Sequence, residues 1–412
     1  MKQPAGRRSQ PSGGVGLHGN TEDRIHVNPS IGESPGQAAH IPPDLEIRPS
    51  ARRAIAHEWI TQRAGSEKTF EQISVVFPEA DLFALTHTAG VEVSTGGRQI
   101  NTTWIDRAPV LRTRRALSLP LMPMAWRTVS SETYDTVISS SHACAKGFGP
   151  GRDALHLSYM HAPMRYAWNA AIDGRAGGPV DLLAPARAVM RRWDRRSADW
   201  VDSFAANSSA VAQRINDYYD REARVIAPPV DVTYFSDAPR LPRTHLLAFS
   251  RFVTYKRLDI AIGVSERLGI PLVIAGSGPE EANLRAEADR LAPGQVTFSI
   301  SPSQAELREL YARSLALVFP AHEDFGIIPV EAQAAGCPVL ALNKGGSLDT
   351  VAHKVSGYLV EEQTIESFAD GAVRLLDASP DPWACQRNAA DFGAHRFRRE
   401  IREWVAETEA RS

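Results

Sequence analysis

Cysteine is scarce in this 412-residue chain: Cys144, Cys337 and Cys385 are far apart and odd in number. None has metal-ligand spacing, so neither a disulfide framework nor a zinc site is expected, and a reducing compartment with free thiols is the default. Charge of one sign is also lacking. Forty-six Lys and Arg face 48 Asp and Glu, a formal net charge of −2, which gives no support for nucleic acid as a partner. No apolar run approaches the roughly 20 residues of a transmembrane helix. Arg7-Arg8 is not followed by an apolar stretch, so export is not expected and the protein is expected in the cytoplasm. Residues 1–50 contain no aromatic and carry seven Gly and seven Pro. Such a segment buries too little apolar surface to offset its ordering entropy, and it is expected to be a disordered tail.

What is present is the composition of a globular protein, 43% hydrophobic, at a length that suggests two domains. The first is expected over 51–225, with strands near Ala54–Ile60, Leu82–Leu85, Tyr134–Ser140 and Leu155–Met160, and a short strand running into an Asn/Ser N-cap over 203–209. Residues 100–130, rich in Arg and Pro, resist assignment. Residues 226–243 hold four prolines and read as a linker. Over 244–385 apolar strands alternate regularly with helices, the pattern of βαβ units and a parallel sheet covered on both faces. Residues 386–412 are expected to supply a final helix that can pack back on the first domain.

In a doubly wound α/β domain, ligands bind outside the carboxyl ends of the strands. The unusual residues of the second domain all fall there: Arg251 and Lys256, then Gly276-Ser277-Gly278, then Ser299 to Ser301, then Glu323 to Ile327, then Gly345-Gly346. The stretch 315–349 is the most telling. It places Glu323 in a loop and Glu331 on a short helix, with Phe325-Gly326-Ile327 between them at the helix N-terminus. Free N–H groups beside two carboxylates suit an anionic, hydroxyl-rich ligand.

With these motifs in order, the chain resembles the retaining glycosyltransferases of family 4, which have two Rossmann-like domains facing a cleft (the glycosyltransferase B fold). The resemblance is carried by Arg251-Phe-Val-Thr-Tyr-Lys256, Ala275-Gly-Ser-Gly-Pro279, Glu323-(seven)-Glu331 and Gly345-Gly346. Upstream it is carried by Ala64-Gly65-Ser66-Glu67, Asn207-Ser208-Ser209 and Pro229-Val230-Asp231. The run from Tyr159 to Trp168, with His161 and Arg165, looks like a signature of a subgroup rich in mannosyltransferases of surface-polysaccharide assembly. The resemblance implies transfer of a hexosyl group, with GDP-mannose favoured and a UDP-sugar as the other donor, to a hydroxyl acceptor without a metal. It implies that Arg251 and Lys256 clamp the diphosphate and that Glu331 accepts from the ribose hydroxyls. Glu323 and the Phe325–Ile327 backbone would hold the sugar. Gly65 would allow close approach to the phosphates, with Gly276, Ser277 and Gly278 as further donor contacts. Ser299 would lie beside the base, and His161 would face the reacting sugar. The chain departs from the pattern at Ala64, where glycine is usual, at Asp349 for Glu, at Asn169 for Asp and at Ser299 for Gly.

Each residue alone has a plainer reading. Glu323 and Glu331 could be solvated carboxylates, Gly276 and Gly278 a tight turn, His161 a satisfied core histidine, and Asn207-Ser208 a helix cap. The arginines between Arg187 and Arg196 read first as a solvated helix face and second as a contact for a membrane surface or an acidic acceptor. A nucleotide-sugar epimerase and a catalytically silent binding partner are the alternatives on the same architecture. The oligomeric state is not legible.

Overall fold

The computed structural model describes residues 51–129, 133–149, 154–168 and 184–412. The tail expected over 1–50 and the departure at Asn169 lie outside the described residues. Thirteen strands are described, in two sheets. The first sheet holds β1 (Arg53–Ile60), β2 (Asp81–His87), β3 (Ile100–Thr102), β4 (Thr136–Ser141), β5 (Leu155–Met160), β6 (Ser203–Ala206) and β7 (Ala223–Val225) in the order 3-2-1-4-5-6-7. The second holds β8 (His245–Arg251), β9 (Leu272–Ser277), β10 (Val296–Ile300), β11 (Ser314–Phe319), β12 (Val339–Leu342) and β13 (Gly357–Val360) in the order 10-9-8-11-12-13. Every pairing is parallel.

Parallel sheets need helices on both faces, which is why the central strands are buried along their length; all eight residues of β1 are buried, Arg53, His57 and Glu58 among them. Each sheet reverses its strand order beside its first strand, between β1 and β4 and between β8 and β11. These two switch points are where a doubly wound sheet opens a crevice at its carboxyl edge.

Residues 100–130 contain β3 and then short helical pieces at Pro109–Thr113, Arg115–Ser118, Leu119–Leu121 and Met122–Arg127. Three of these pieces carry a proline in their first two positions. A proline starts a helix readily but cannot continue one, so no run became long enough to show a 3.6-residue period. Within 226–243 the chain forms a helix, Val232–Ser236, with Phe235 buried in the second domain's core. Further elements without an expectation include β7, the short helices Ala145–Gly147 and Arg165–Trp168, and the helix Pro382–Ala390.

Five helices bear on the geometry of the cleft: α1 (Gly65–Val76), α2 (Ala184–Ala198), α3 (Ser209–Tyr219), α4 (Ile327–Ala334) and α5 (Ala394–Arg411). The chain crosses between the domains twice, near Val230 and near Gly393, and the crossings lie side by side, with Val230 N–H donating to the Phe392 carbonyl at 2.9 Å. Beyond the second crossing α5 buries Phe397, Ile401, Trp404 and Val405 against Ile55, Phe70 and Ile73 of the first domain. Its last turn is fastened electrostatically. Arg53, 1% exposed at its side chain, donates to Glu409, 3% exposed, through Nε at 3.1 Å and Nη2 at 2.9 Å. The Thr136 hydroxyl adds a third bond to Glu409, at 2.9 Å.

Breaking a buried pair from one side leaves an uncompensated charge, at a cost of about 3–5 kcal/mol, whereas an apolar replacement of both partners is often neutral. Because Arg53 keeps a second partner, the half-exposed Glu79 at 2.9 Å from Nη1, Glu409→Ala is expected to cost about 3 kcal/mol, the lower end of that range, and Arg53→Met with Glu409→Leu to recover most of it. Urea denaturation of the two variants checks both outcomes.

Candidate functional site

The carboxyl edges of the two sheets face one another across a cavity of about 840 Å³. From the second domain Arg251, Lys256, Gly276, Ser277, Glu323, Phe325, Gly326 and Ile327 line it, and from the first domain Gly65 and His161 do. The structure thus brings together ten of the thirteen expected site residues.

Two helix N-termini point into this space. Gly326 precedes α4 at φ +90°, a left-handed conformation that glycine adopts without strain, and so turns the chain from the loop into the helix. Pro329 follows in the first turn, where its missing N–H costs nothing. Opposite lies the start of α1, where the Ala64 N–H donates to the Glu67 carboxylate at 3.2 Å. A Cβ on Gly65 would stand 2.5 Å from Cδ1 of Ile327. The absent side chain is what lets the two helix starts come this close.

Cations complete the anion-attracting wall. Arg251 is exposed at the end of β8 and donates to the Tyr255 hydroxyl at 2.7 Å. Lys256 is buried and forms an ion pair with Glu323. Burial, followed by the positive charges of Arg251 and Arg165, pulls the Lys256 ammonium down to about 7, with Asp324 acting the other way. Gly276, at φ +132°, packs its bare Cα against the Ser250 carbonyl, where no Cβ would fit. That explains the glycine by close packing as well as by a ligand's approach.

Three expected residues do not line the cavity. Ser299 lies within β10, and Ser301 and Pro302, just beyond the strand, take its place. Gly278 is turned against the backbone of Phe252. Glu331 sits in the second turn of α4, buried, with the Tyr311 hydroxyl 3.4 Å from its Oε2. Burial pushes the Glu331 carboxyl up to about 7, opposed by the Lys68 charge and the Tyr311 bond. Gly345-Gly346 is likewise not in the lining but a seat for it. Gly346 N–H donates to the Glu323 carbonyl at 2.9 Å, and a Cβ on Gly346 would collide with the Phe325 backbone.

On the first-domain side, the Ser140 hydroxyl stands between two histidines, 3.1 Å from Nδ1 of His57 and 2.9 Å from Nε2 of His161. Burial, with His161 beside it, drives the His57 imidazole down to about 3, and burial brings His161 to about 4, so both rings are neutral near pH 7. Asn207 fixes the same strand end by donating to the His161 carbonyl at 3.0 Å, while Ser208 caps α3 through Val211 N–H.

Glu58 carries no signal in the sequence that marks it out. Buried at the end of β1, it accepts from the Ser141 hydroxyl at 2.9 Å and from Ala143 and Ala145 N–H at 2.8 and 2.7 Å, shaping the loop that carries His142 into the cavity. Burial raises its pKa, against the pull of those donors. Asp324 and Arg214 are also absent from the expected set. Asp324 is ion-paired with Arg165 and with Arg214 of the first domain. Its place beside Glu323 is a readable signal, but Arg214 on a surface helix offers none.

Helix α2 presents Arg191, Arg192, Arg195 and Arg196 outward, while Asp194 on its inner side forms a fully buried ion pair with Lys146. Among the described residues no helix is long and apolar enough to cross a membrane.

Residues 237–392 match the family model described as Glycosyl transferases group 1. The chain is 33% identical over 156 residues to a glycogen synthase of Pseudomonas syringae pv. tomato, covering 35% of this chain and 32% of that protein. It is 32% identical over 263 residues to a D-inositol 3-phosphate glycosyltransferase of Mycolicibacterium smegmatis, covering 58% of this chain and 57% of that protein. It therefore spans less than two thirds of the length of these curated relatives. HepE of Anabaena, solved in complex with UDP, superposes with a TM-score of 0.63 at 16% identity, covering 86% of this chain and all of that one. The two parallel α/β domains have the glycosyltransferase B fold, and the second carries a glycosyl transferases group 1 domain.

Proposed function

We propose that the protein is a retaining glycosyltransferase that moves a hexosyl group from a nucleotide diphosphate sugar to a hydroxyl acceptor. The observation that carries this is the meeting of two helix N-termini with Arg251 and Lys256 on one cavity between the domains. A leaving nucleoside diphosphate gathers negative charge as its bond to the sugar breaks. Fixed N–H dipoles and cations in a sheltered cleft stabilise that charge without reorganising.

In this reading Arg251 and Lys256 hold the diphosphate, and the α4 N-terminus and Glu323 hold the sugar. The arriving nucleotide must expose the Glu331 carboxylate, which is buried outside the cavity lining, for it to accept the charge-assisted bonds from the ribose hydroxyls that the resemblance implies. Both acidic groups that follow β11 are already engaged, Glu323 by Lys256 and Asp324 by two arginines. Neither stands free as a nucleophile, which supports attack on the sugar from the face the phosphate leaves, with that phosphate accepting the acceptor's proton. The Tyr159–Trp168 motif favours mannose and hence GDP-mannose, whereas the solved neighbour binds UDP. The arginine face of α2 fits contact with an anionic surface or acceptor.

Incubation with a panel of GDP- and UDP-sugars, with released nucleotide and product anomer measured, is the direct test. Loss of one transition-state donor costs about 2.7–4 kcal/mol. Arg251→Ala is thus expected to lower kcat by about 100- to 1000-fold, and absence of release from every donor would sink the proposal.

The two carboxylates should separate. Glu331→Ala is expected to weaken GDP or UDP binding about 10- to 100-fold, since hydrogen bonds to a charged group contribute about 1.5–3 kcal/mol. Glu323→Gln should lower turnover with nucleotide affinity little changed. Calorimetry alongside kinetics distinguishes them, and the reverse pattern overturns the assignment.

Nucleotide affinity of the free protein should peak near neutral pH. Above about 7 Lys256 loses its proton and a cation is gone; below about 7 Glu331 gains one and accepts fewer hydroxyl protons. Affinity titrated from about pH 5.5 to 8.5 should lose its alkaline limb in Lys256→Arg and its acid limb in Glu331→Gln.

A further inference from the structure

The loop that carries Glu323 is gripped from both domains. Its own domain holds it from beneath, through Gly346 N–H and the Glu323 carbonyl at 2.9 Å. The first domain holds the next residue. Asp324 is 9% exposed, receives Nε of Arg165 at 3.1 Å on Oδ2 and meets Nη1 of Arg214 at 2.7 Å on Oδ1. Arg165 opens the short helix after β5, four residues beyond His161, and Arg214 lies in the middle of α3.

A second bridge runs in parallel. Asp349, on the short helix Ser347–Thr350 that follows Gly346, accepts from Ser209 N–H at 2.8 Å and from its hydroxyl at 2.7 Å. Ser209 is the first residue of α3, so one first-domain helix reaches both the Glu323 loop and the glycine turn beneath it. The same helix follows Asn207, which holds the His161 carbonyl. Closing the cleft, aiming His161 and setting Glu323 are therefore coupled through one rigid element.

We propose that Asp324, with Arg214 and Arg165, is a positioning device: the first domain sets the sugar-side carboxylate Glu323 only when the two domains are closed on each other. None of the three need touch the reacting atoms for this; they act through the backbone between Glu323 and Phe325. The proposal builds on the glycosyltransferase reading and adds which residues make the donor loop competent. It also gives Asp349 a role. Its short side chain serves as a cap for α3 from across the cleft, a negative group at a helix N-terminus.

The test uses the full chain with GDP-mannose or UDP-glucose, whichever the wild type consumes, and calorimetry with GDP or UDP. Displacement of a positioned group by about 1 Å can cost about 100-fold in rate. Asp324→Asn and Arg214→Met are each expected to lower kcat by about that factor while nucleotide Kd stays within about twofold of wild type. Arg214→Lys should recover most of the rate, because the contact from Arg214 is a single point and a point charge can replace it. A purely structural role would lower kcat and nucleotide affinity together and would not be rescued by lysine. That result, or a kcat within about twofold of wild type in both variants, overturns the proposal. If Asp324→Asn fails to fold, Arg214→Met, on the first domain, decides alone. A wild-type chain that neither binds nor consumes any donor brings down the glycosyltransferase reading, and the positioning role with it; wild-type turnover with unaffected variants removes the positioning role only.

Discussion

Cations crowd the cleft, and two adjacent carboxylates hold them in balance. Arg165 and Arg214 come from the first domain, Arg251 and Lys256 from the second, and Glu323 and Asp324 stand among them. Lys256 is buried and Arg214 nearly so, and gathering like charge around them would be costly without partners. Asp324 shows the balance most clearly. Burial pushes its carboxyl up, yet the two guanidinium groups outweigh burial and hold it below the usual carboxylate range. In the proposed reading that surplus of positive charge is what a diphosphate would meet, and each ligand contact must be judged against the contact it displaces.

That balance requires the two sheets to stay in a fixed relation. The paired crossings at Val230 and Gly393, and the return of α5 to the first domain, set it covalently and by packing. The Arg53–Glu409 pair joins residues far apart in the sequence and fastens the end of α5 to β1, the strand whose carboxyl end carries Trp59 into the cavity lining and Glu58 beneath the His142 loop. Stability and site geometry thus share the same strand.

The second domain was legible because its signals are local. Each strand is a short apolar run, each expected helix starts within a few residues of its expectation, and the glycines sit where the backbone turns or is crowded. The first domain was less so. Its 100–130 region is broken by prolines into pieces too short for periodicity, and β7 has three residues. In the candidate site the misses differ in form: Gly278 is turned onto the Phe252 backbone and Glu331 lies a turn too far into α4. The resemblance implies Ser299 beside the base, but the strand runs on past it, and only the residues after its end reach the cavity.

The amino-acid sequence by itself determined two doubly wound domains, the loops that bear chemistry, and a glycine-flanked helix start beside Glu323, because these depend on residues near one another in the chain. Only the tertiary structure decided which side chains meet across the cleft. Asp324 with Arg165 and Arg214, Asp349 with Ser209, and Gly65 with Ile327 join residues more than a hundred positions apart. No local pattern encodes such pairs. They exist because two parallel sheets, packed through a shared final helix, bring their carboxyl edges face to face.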